Sequence, residues 1–224
     1  MRIDIFTLFP EWFDWMRRPR HLANAALSAG LELRCFSPRD TTPLPNGQVD
    51  DSPYGGGPGM VIRADVMAAA LEAVYGEPAM GVRERRRVIV LTPRGRPFTD
   101  AVARELAREP EIALLCGRYE GFDERVHEHL ADDALCLGPF VLAGGEVAAM
   151  AVVDAVGRQL TGALGNAESL VAESFSEALG GNVEHPHYTR PATVLGHDVP
   201  AVLLSGDHGA IARWRSEHLS APRS

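Results

Sequence analysis

Short apolar runs recur along the first part of the chain and predict the strands of a sheet. They are Arg2–Phe9, Leu31–Phe36, Arg87–Leu91, Ile112–Cys116 and Ala134–Leu137. Short runs that are apolar throughout are typical of parallel strands buried on both faces. The last two runs each break at a glycine, Gly117 or Gly138. Since α/β proteins bind ligands at the carboxyl ends of their strands, this pattern predicts a ligand site near those glycines.

Segments with a helical pattern alternate with these strands. They extend from Glu11 to Gly30 with an interruption near Pro19, from Asp65 to Tyr75, from Thr99 or Asp100 to about Glu109, from Val147 to Leu160, and from Ala210 to Leu219. The alternation as far as Leu160 indicates an α/β domain with a parallel sheet flanked by helices. The segment Val147–Leu160 is apolar on nearly every face, so we expect it to be buried in a core or against another subunit.

The composition changes after Leu160 and divides the chain. A chain of 224 residues has the length of one large domain with a small appended one. Thr161–Ala172 is rich in small residues and has no periodicity, which is typical of a linker. The sequence therefore predicts a sheet domain over residues 1–160, a linker over 161–172, and a small, mostly helical C-terminal domain over 173–224.

The long segment Ser37–Arg63 is rich in Pro and Gly and has no periodicity. Loops of that length are uncommon in compact domains unless they are functional. Its glycine run, Tyr54–Met60, lacks the Lys-Ser/Thr of a P-loop, so composition alone leaves a flexible loop and a ligand-binding loop equally open. The acidic pair Asp50–Asp51 could bind a cation or a base edge, or could simply be solvated.

The charge and the cysteine content of the chain indicate which kinds of partner and which cellular compartment to expect. The net charge is −8 and every basic residue is arginine, which argues against a general nucleic-acid binder but not against a local basic site. The three cysteines are odd in number and two lie in apolar runs, as expected for reduced core residues of a cytosolic protein. No apolar run reaches membrane-spanning length, so we expect a cytoplasmic protein without a membrane partner.

Two further motifs leave alternatives open. The pairs His127-x-His129 and His185-x-His187 lack a Cys or carboxylate at zinc spacing, which favours surface histidines over a metal site. Asp154 and Arg158 lie four residues apart on one helix face. They are either an ion pair on the helix surface, or Arg158 faces an anionic transition state. The GxSxG, HExxH and GxGxxG signatures of hydrolases, zincins and Rossmann proteins are absent.

Five longer blocks are spread along the chain between Val49 and His208. They are VDDSPYGGGPGM (Val49–Met60), CGRYEGFDERV (Cys116–Val126), VLAGGE (Val141–Glu146), HYTRP (His187–Pro191) and VPAVLLSGDH (Val199–His208). In sequence and in order they resemble the signature blocks of the bacterial tRNA (guanine-N1)-methyltransferase family, of the SPOUT superfamily. The resemblance implies a SPOUT-type sheet with a C-terminal trefoil knot, which general folding rules make improbable. It also implies a homodimer whose two sites lie at the subunit interface, with the apolar helix buried there.

The same resemblance implies the ligands and their binding residues. The methyl donor would be S-adenosyl-L-methionine, held by Leu91, Thr92, Pro93, Gly117, Glu120, Leu137, Gly138, Pro139, Phe140, Val141, Leu142, Gly144 and Gly145. The substrate would be tRNA with a guanosine 3′ of the anticodon (position 37), methylated at N1. It would be contacted by Asp50, Tyr54, Gly55, Gly56, Gly57, Ser174, His187 and Arg190. Family members are also described as depending on Mg²⁺, although no ligand set in this sequence suggests a metal site.

The resemblance also assigns two catalytic residues. Guanine N1 carries a proton at neutral pH, so a general base must remove it, and Glu173 stands where the family has an aspartate base. Arg158 matches the arginine that would stabilise negative charge on guanine O6. The chain departs from the family in having Pro139-Phe140 where Asp-Tyr is common, in the glutamate base, and in a shorter C-terminal domain. The alternatives are a non-catalytic paralogue that binds tRNA or donor, and a SPOUT enzyme acting on another RNA.

Overall fold

The computed structural model describes residues 1–165 and 173–222, which fall into two compact units, Met1–Gly165 and Asn166–Ser224. The strands of the first unit are β1 (Arg2–Phe6), β2 (Glu32–Phe36), β3 (Asp50–Asp51), β4 (Val61–Ile62), β5 (Arg87–Pro97), β6 (Glu111–Cys116) and β7 (Asp133–Cys136). Its helices are α1 (Arg20–Ala29), α2 (Ala64–Tyr75), α3 (Ala79–Val82), α4 (Asp100–Leu106) and α5 (Glu146–Gly157). The second unit contains β8 (Thr193–Val194), β9 (His197–Asp198), α6 (Ala201–Leu204) and α7 (His208–Glu217).

A five-stranded sheet forms the centre of the first unit, in the order β2-β1-β6-β5-β7, and every neighbouring pair is parallel. The prediction of an α/β fold with a parallel sheet flanked by helices is confirmed. Leu91 of β5 pairs with Cys116 of β6 on one side and with Leu135 of β7 on the other. This register places the ends of β6 and β7, and the loops that begin at Gly117 and near Gly138, on either side of Leu91.

Helices cover both faces of this sheet. One core contains side chains of α1, α4 and α5, and the other contains side chains of α2 and α3. Helix α5 buries Ala149, Val152, Val153 and Val156 in the first core, whereas its Val147 is half exposed. The all-apolar helix is therefore buried mainly within its own unit, and one of its faces remains at the surface.

Three sequence-based boundaries are corrected by the structure. Strand β1 ends at Phe6, three residues before the predicted end. The strand predicted to end at Leu91 instead continues to Pro97 as β5, which pairs with β7 again after a register shift between Leu91 and Arg96. Between the predicted helix that ends at Tyr75 and this strand, where no element is predicted, the chain forms the short helix α3, whose Ala79 and Val82 are buried. A four-residue helix offers too few turns for a periodic signal to appear in the sequence.

The predicted helix ends rest on identifiable caps. Gly30 ends α1 in the left-handed conformation, with φ of 63°, as glycine does at helix ends. Thr99 begins α4, where its side chain accepts a hydrogen bond from the Val102 amide. In the second unit the Asp207 side chain caps α7 by accepting a 3.0 Å hydrogen bond from the Ala210 amide.

The predicted linker over 161–172 coincides only partly with described residues. Residues 161–165 belong to the first unit, and residues 166–172 lie outside the described part of the chain. The domain limits 1–160 and 173–224 therefore remain predictions. Within residues 1–165 and 173–222, no helix is long and apolar enough to cross a membrane.

Candidate functional site

A cleft of about 270 Å³ lies at the carboxyl edge of the sheet, where β6 and β7 end beside residues 91–94 of β5. Every predicted donor-binding residue except Pro139 lines it, namely Leu91, Thr92, Pro93, Gly117, Glu120, Leu137, Gly138, Phe140, Val141, Leu142, Gly144 and Gly145. Sequence reasoning missed several other lining residues: Arg94, Tyr119, Gly121, Phe122, His127, Leu135, Cys136, Ala143 and Ala148. Most of them adjoin predicted ones in the same three loops, so extending each predicted segment by one or two residues would have included them.

Two glycines let the loops after β6 and β7 meet at the wall of the cleft. The Gly145 amide donates a 2.8 Å hydrogen bond to the Gly117 carbonyl. A Cβ atom on Gly145 would lie 2.8 Å from Cys116 Cα, a distance that real side chains do not adopt. The wall is therefore main chain packed on main chain, which leaves peptide groups rather than side chains to face a ligand.

The pair Pro139-Phe140 is accommodated without filling the cleft. Pro139 does not line it. The Phe140 amide donates a 2.8 Å hydrogen bond to the Gly138 carbonyl, and the Phe140 ring packs over Gly138. Phe140 is 53% exposed and adds an apolar surface to the cleft mouth. The proline thus leaves the local turn intact, and the phenylalanine offers a ring face to a planar ligand.

His127 was predicted to lie on the surface, but the structure places it in the wall of the cleft. It is half-buried and its ring packs edge-on against Phe122, with 6.5 Å between ring centroids. Burial lowers the pKa of His127 from its ordinary value of 6.5, with Glu124 opposing and Arg94 reinforcing the shift. His129, two residues later, is exposed as predicted. In the sequence, His127 directly follows the Cys116–Val126 block, and this position is the signal that could have indicated its place in the cleft.

The lowered pKa of His127 predicts a pH-dependent stability. The unfolded chain binds this proton more readily than the folded one, so the contribution is present above pH 6.5 and is lost as pH falls through the lowered folded-state value. We expect His127→Gln to lose less stability than the parent between pH 7.5 and about 5.5, measured by urea unfolding. His129→Gln is the matched control and should follow the parent. Identical pH profiles for the two variants would contradict the assignment.

The glycine-rich loop reaches the cleft through its last residues. Gly55, Gly56 and Gly57 all have positive φ and nothing within 4 Å of where a Cβ would be, and Tyr54 is fully exposed. The Glu120 amide donates a 3.0 Å hydrogen bond to the Met60 carbonyl.

The glycine-rich segment begins close to Asp50, and near its C-terminal end it contacts Glu120. A Cβ on Gly59 would overlap the Glu120 side chain, so the glycine permits a close approach to the cleft. Asp50 is half-buried in the β3–β4 hairpin. The loop is therefore anchored beside the cleft at one end while its glycines face solvent.

The two predicted catalytic residues belong to different units, each described by itself. Arg158 caps α5, where its amide donates a 3.1 Å hydrogen bond to the Asp154 carbonyl, and its side chain is half-buried. The Asp154 carboxylate lies 2.9 Å from His21 Nε2 of α1. Asp154 thus has a close polar neighbour outside its own helix, which the sequence spacing did not indicate. Glu173 is half-buried in the second unit, and its carbonyl accepts a 3.1 Å hydrogen bond from the Ser176 amide.

In the second unit, Glu184 brings together two of the predicted tRNA-binding residues. Its amide donates a 3.1 Å hydrogen bond to Ser174 Oγ, and its carboxylate lies 2.9 Å from His187 Nε2. His187 and Arg190 line a shallow cleft together with Trp214 and Arg215. His218 stacks on Trp214 with 4.1 Å between ring centroids. Arginines and aromatic rings on one surface are suited to phosphates and bases.

Across residues 1–165 and 173–222, no group of three or more His, Cys, Asp or Glu side chains is placed to hold a metal ion. The donor set that Mg²⁺ prefers, several convergent oxygens, is therefore not assembled by these residues. The three cysteines are free thiols, and burial raises the pKa of Cys116 well above its ordinary range.

The sheet and its cleft define a class of α/β protein that binds its ligand on glycine-containing loops at the carboxyl edge of parallel strands. Comparison with known proteins makes the class specific. The family described as tRNA (Guanine-1)-methyltransferase TrmD matches residues 1–222, and this chain belongs to that family.

Curated relatives named tRNA (guanine-N(1)-)-methyltransferase are similar over nearly the whole chain. The protein of Geobacter metallireducens is 47% identical over 96% of this chain and 84% of its own length. That of Sorangium cellulosum is 48% identical over 96% of this chain and 87% of its own length. The Nitratidesulfovibrio vulgaris protein is 48% identical over 97% of this chain but only 48% of its own length, so this chain spans about half of that relative.

Proposed function

We propose that this protein transfers a methyl group from S-adenosyl-L-methionine to N1 of the guanosine 3′ of the anticodon, position 37, in tRNA. The observation that carries the proposal is the cleft at the carboxyl edge of the sheet, which gathers twelve of the thirteen residues predicted to bind the donor. Family membership over residues 1–222 supports the reaction type.

The residues of the cleft fit the donor. Its wall of main-chain groups leaves no space for a Cβ on Gly145 and only a tight one on Gly117, 3.2 Å from the Phe122 ring, as expected where a backbone approaches a ligand closely. Leu137 and Phe140 supply apolar surface for a planar base, and Glu120 supplies a carboxylate for the positive charges of the donor. When bound, the donor supplies an electrophilic methyl group.

We propose that Glu173 is the general base of the reaction and that Arg158 stabilises the negative charge that the reaction develops. Glu173 accepts the N1 proton of guanine as N1 becomes nucleophilic. Arg158 stabilises the negative charge that develops on O6. The support is that both residues match the positions of the family's catalytic residues, and that Arg158 lies at the end of a helix held by the core of the first unit.

Two features support the trefoil knot that the family resemblance implies. Strand β5 lies between β6 and β7 although it precedes both in the chain. The loop after β7 closes onto the loop after β6 through Gly145, Gly117 and the bridge between Arg118 and Gly144. We propose that these interleaved loops are threaded as the knot.

The tRNA contacts are proposed for two surfaces, each in its own unit. Asp50 and Tyr54–Gly57 supply the first, and the surface formed by Ser174, His187 and Arg190 with Trp214 supplies the second. Contacts to a local set of arginines and rings can bind RNA despite the net charge of −8. We place the reaction in the cytoplasm, where reduced cysteines and a tRNA substrate are both expected.

A methylation assay on tRNA transcripts tests the function. We expect methyl transfer from radiolabelled donor to a transcript with guanosine at position 37, and none when that guanosine is replaced by adenosine. Donor binding without transfer would favour the non-catalytic paralogue. Transfer to a different RNA, with none to this transcript, would favour the other SPOUT alternative.

We further propose that the protein is a homodimer that buries the exposed face of α5. Val147 of α5 is 51% exposed, and the 3₁₀ helix Pro10–Arg17, which contacts α5, exposes Trp12 and Trp15. Apolar side chains grouped in this way are typical of an interaction surface.

Val147→Glu is therefore expected to convert dimer to monomer and to lower methyl transfer, measured by sedimentation and by the transcript assay. Met80→Glu, an equally drastic change at an exposed residue on the opposite face of the sheet, is the control and should leave the dimer intact. A monomeric parent protein with full activity would contradict the proposal.

A further inference from the structure

Glu146 is a charged residue in an apolar setting that the proposed chemistry does not use. It begins α5 and is 1% exposed, next to core residues of the sheet. Burying a carboxylate is costly unless it is paired, so its partners show what the residue does. Two of them come from the ends of strands β1 and β6.

Thr7 and Arg118 are these partners. Thr7 Oγ1 donates a 3.0 Å hydrogen bond to Glu146 Oε1 and accepts one from the Phe9 amide. Arg118 Nε lies 3.0 Å from Glu146 Oε2, at ion-pair distance but without the alignment of a hydrogen bond. The guanidinium also lies over the rings of Phe9 and Trp12, at 4.4 and 4.9 Å from their centroids. The Arg118 side chain thus contacts the Glu146 carboxylate and the two aromatic rings.

Arg118 belongs to the loop after β6 and touches the loop after β7. Its Nη1 donates a long, 3.5 Å hydrogen bond to the Ala143 carbonyl, and its backbone bridges to Gly144. A Cβ on Gly144 would lie 2.5 Å from both Arg118 Nε and Glu146 Oε2. Because Gly144 has no side chain, the Arg118–Glu146 ion pair can lie directly against the main chain that lines the cleft.

From this arrangement we infer that Glu146 is a positioning residue for the donor site. Through Arg118 it fixes the loop after β6 against the loop after β7, and both loops line the cleft. Glu146 itself is not among the lining residues. The inference rests on the proposed function only in naming S-adenosyl-L-methionine as the ligand.

The test is Glu146→Gln, which keeps the shape of the side chain and removes its charge. We expect the donor dissociation constant, measured by calorimetry, to rise about 10- to 100-fold, the range for losing a charged interaction. The KM for donor should rise in parallel, while kcat at saturating donor and KM for tRNA stay within about threefold because the reacting groups are untouched. If Glu146 only stabilised the fold, its loss would not raise the KM for donor more than the KM for tRNA.

Glu111→Gln is the matched control. Glu111 begins the same strand β6 at the end away from the cleft and pairs with Arg2 and Arg86 at 2.7 and 2.6 Å. The Glu111→Gln substitution should lower the melting temperature of the protein and leave its affinity for the donor unchanged. If Glu146→Gln does not fold, Thr7→Val removes one hydrogen bond to the same carboxylate and should weaken donor binding severalfold.

Unchanged donor affinity in a folded Glu146→Gln or Thr7→Val variant would overturn the inference. So would equal rises in the two KM values. A parent protein that does not bind S-adenosyl-L-methionine would instead reject the proposed function, so the two failures are distinguishable.

Discussion

Glu173→Gln is expected to slow methylation of guanosine 37 by ~10²–10⁴-fold in single-turnover experiments, the range that a general base contributes. Glutamine keeps the size and hydrogen-bonding capacity of the side chain but cannot accept the N1 proton. Donor and tRNA binding should be unchanged, which calorimetry and filter binding measure separately. Glu173→Asp should retain much of the activity, because it keeps the carboxylate that the proposed step requires.

Glu177→Gln is the control for this experiment. Glu177 is an exposed carboxylate four residues further on, at the start of a short turn of helix in the same unit. Its neutralisation changes the charge of the unit equally and should leave the rate unchanged. A Glu173→Gln protein that turns over like the parent would show that another group takes the proton.

Arg158→Ala is expected to lower the single-turnover rate by ~10²–10³-fold, as for the loss of one group that stabilises an oxyanion. Saturating donor and tRNA isolate the chemical step from binding. Arg158→Lys keeps the charge but not the planar guanidinium, so it should recover part of the rate.

Asp154→Asn separates this role from a helix-surface ion pair. The Asp154 carboxylate lies beside His21, so its loss is expected to lower stability modestly and to leave the rate per folded molecule unchanged. If Arg158→Ala also costs only stability, measured by urea unfolding, the electrostatic assignment is wrong.

The sequence predicted the sheet well because buried parallel strands leave a strong local signal. The continuous apolar run Ile112–Cys116 corresponds closely to β6, and the glycine after it begins a loop of the cleft. The same logic placed Gly30 and Thr99 at helix ends, where a left-handed residue or a side-chain cap is required. Such features depend on near neighbours in the chain, which is why pattern alone reveals them.

The features that were missed depend on residues distant in sequence. Asp154 meets His21, Glu146 meets Thr7, and His127 turns into the cleft, each because of how the sheet and its helices pack. The residue-by-residue site prediction came from the family resemblance, and the structure brings twelve of the thirteen predicted donor-binding residues together in one cleft. The order of the five strands was equally beyond the pattern, since apolar runs carry no information on which strand lies beside which.

That strand order also constrains how the protein can be made on the ribosome. Strand β6 lies between β1 and β5, yet it begins only at Glu111, after both have been synthesised. Until it emerges, β1 has one unpaired edge and β5 has no neighbour at all in the sheet. Unpaired apolar edges are the usual starting points of aggregation. A nascent chain that stalls before Glu111 would therefore hold about half of the protein in a form that chaperones must shield. Completion of β6 pairs β1 and β5 with a common neighbour and leaves one edge of β5 open until β7 follows.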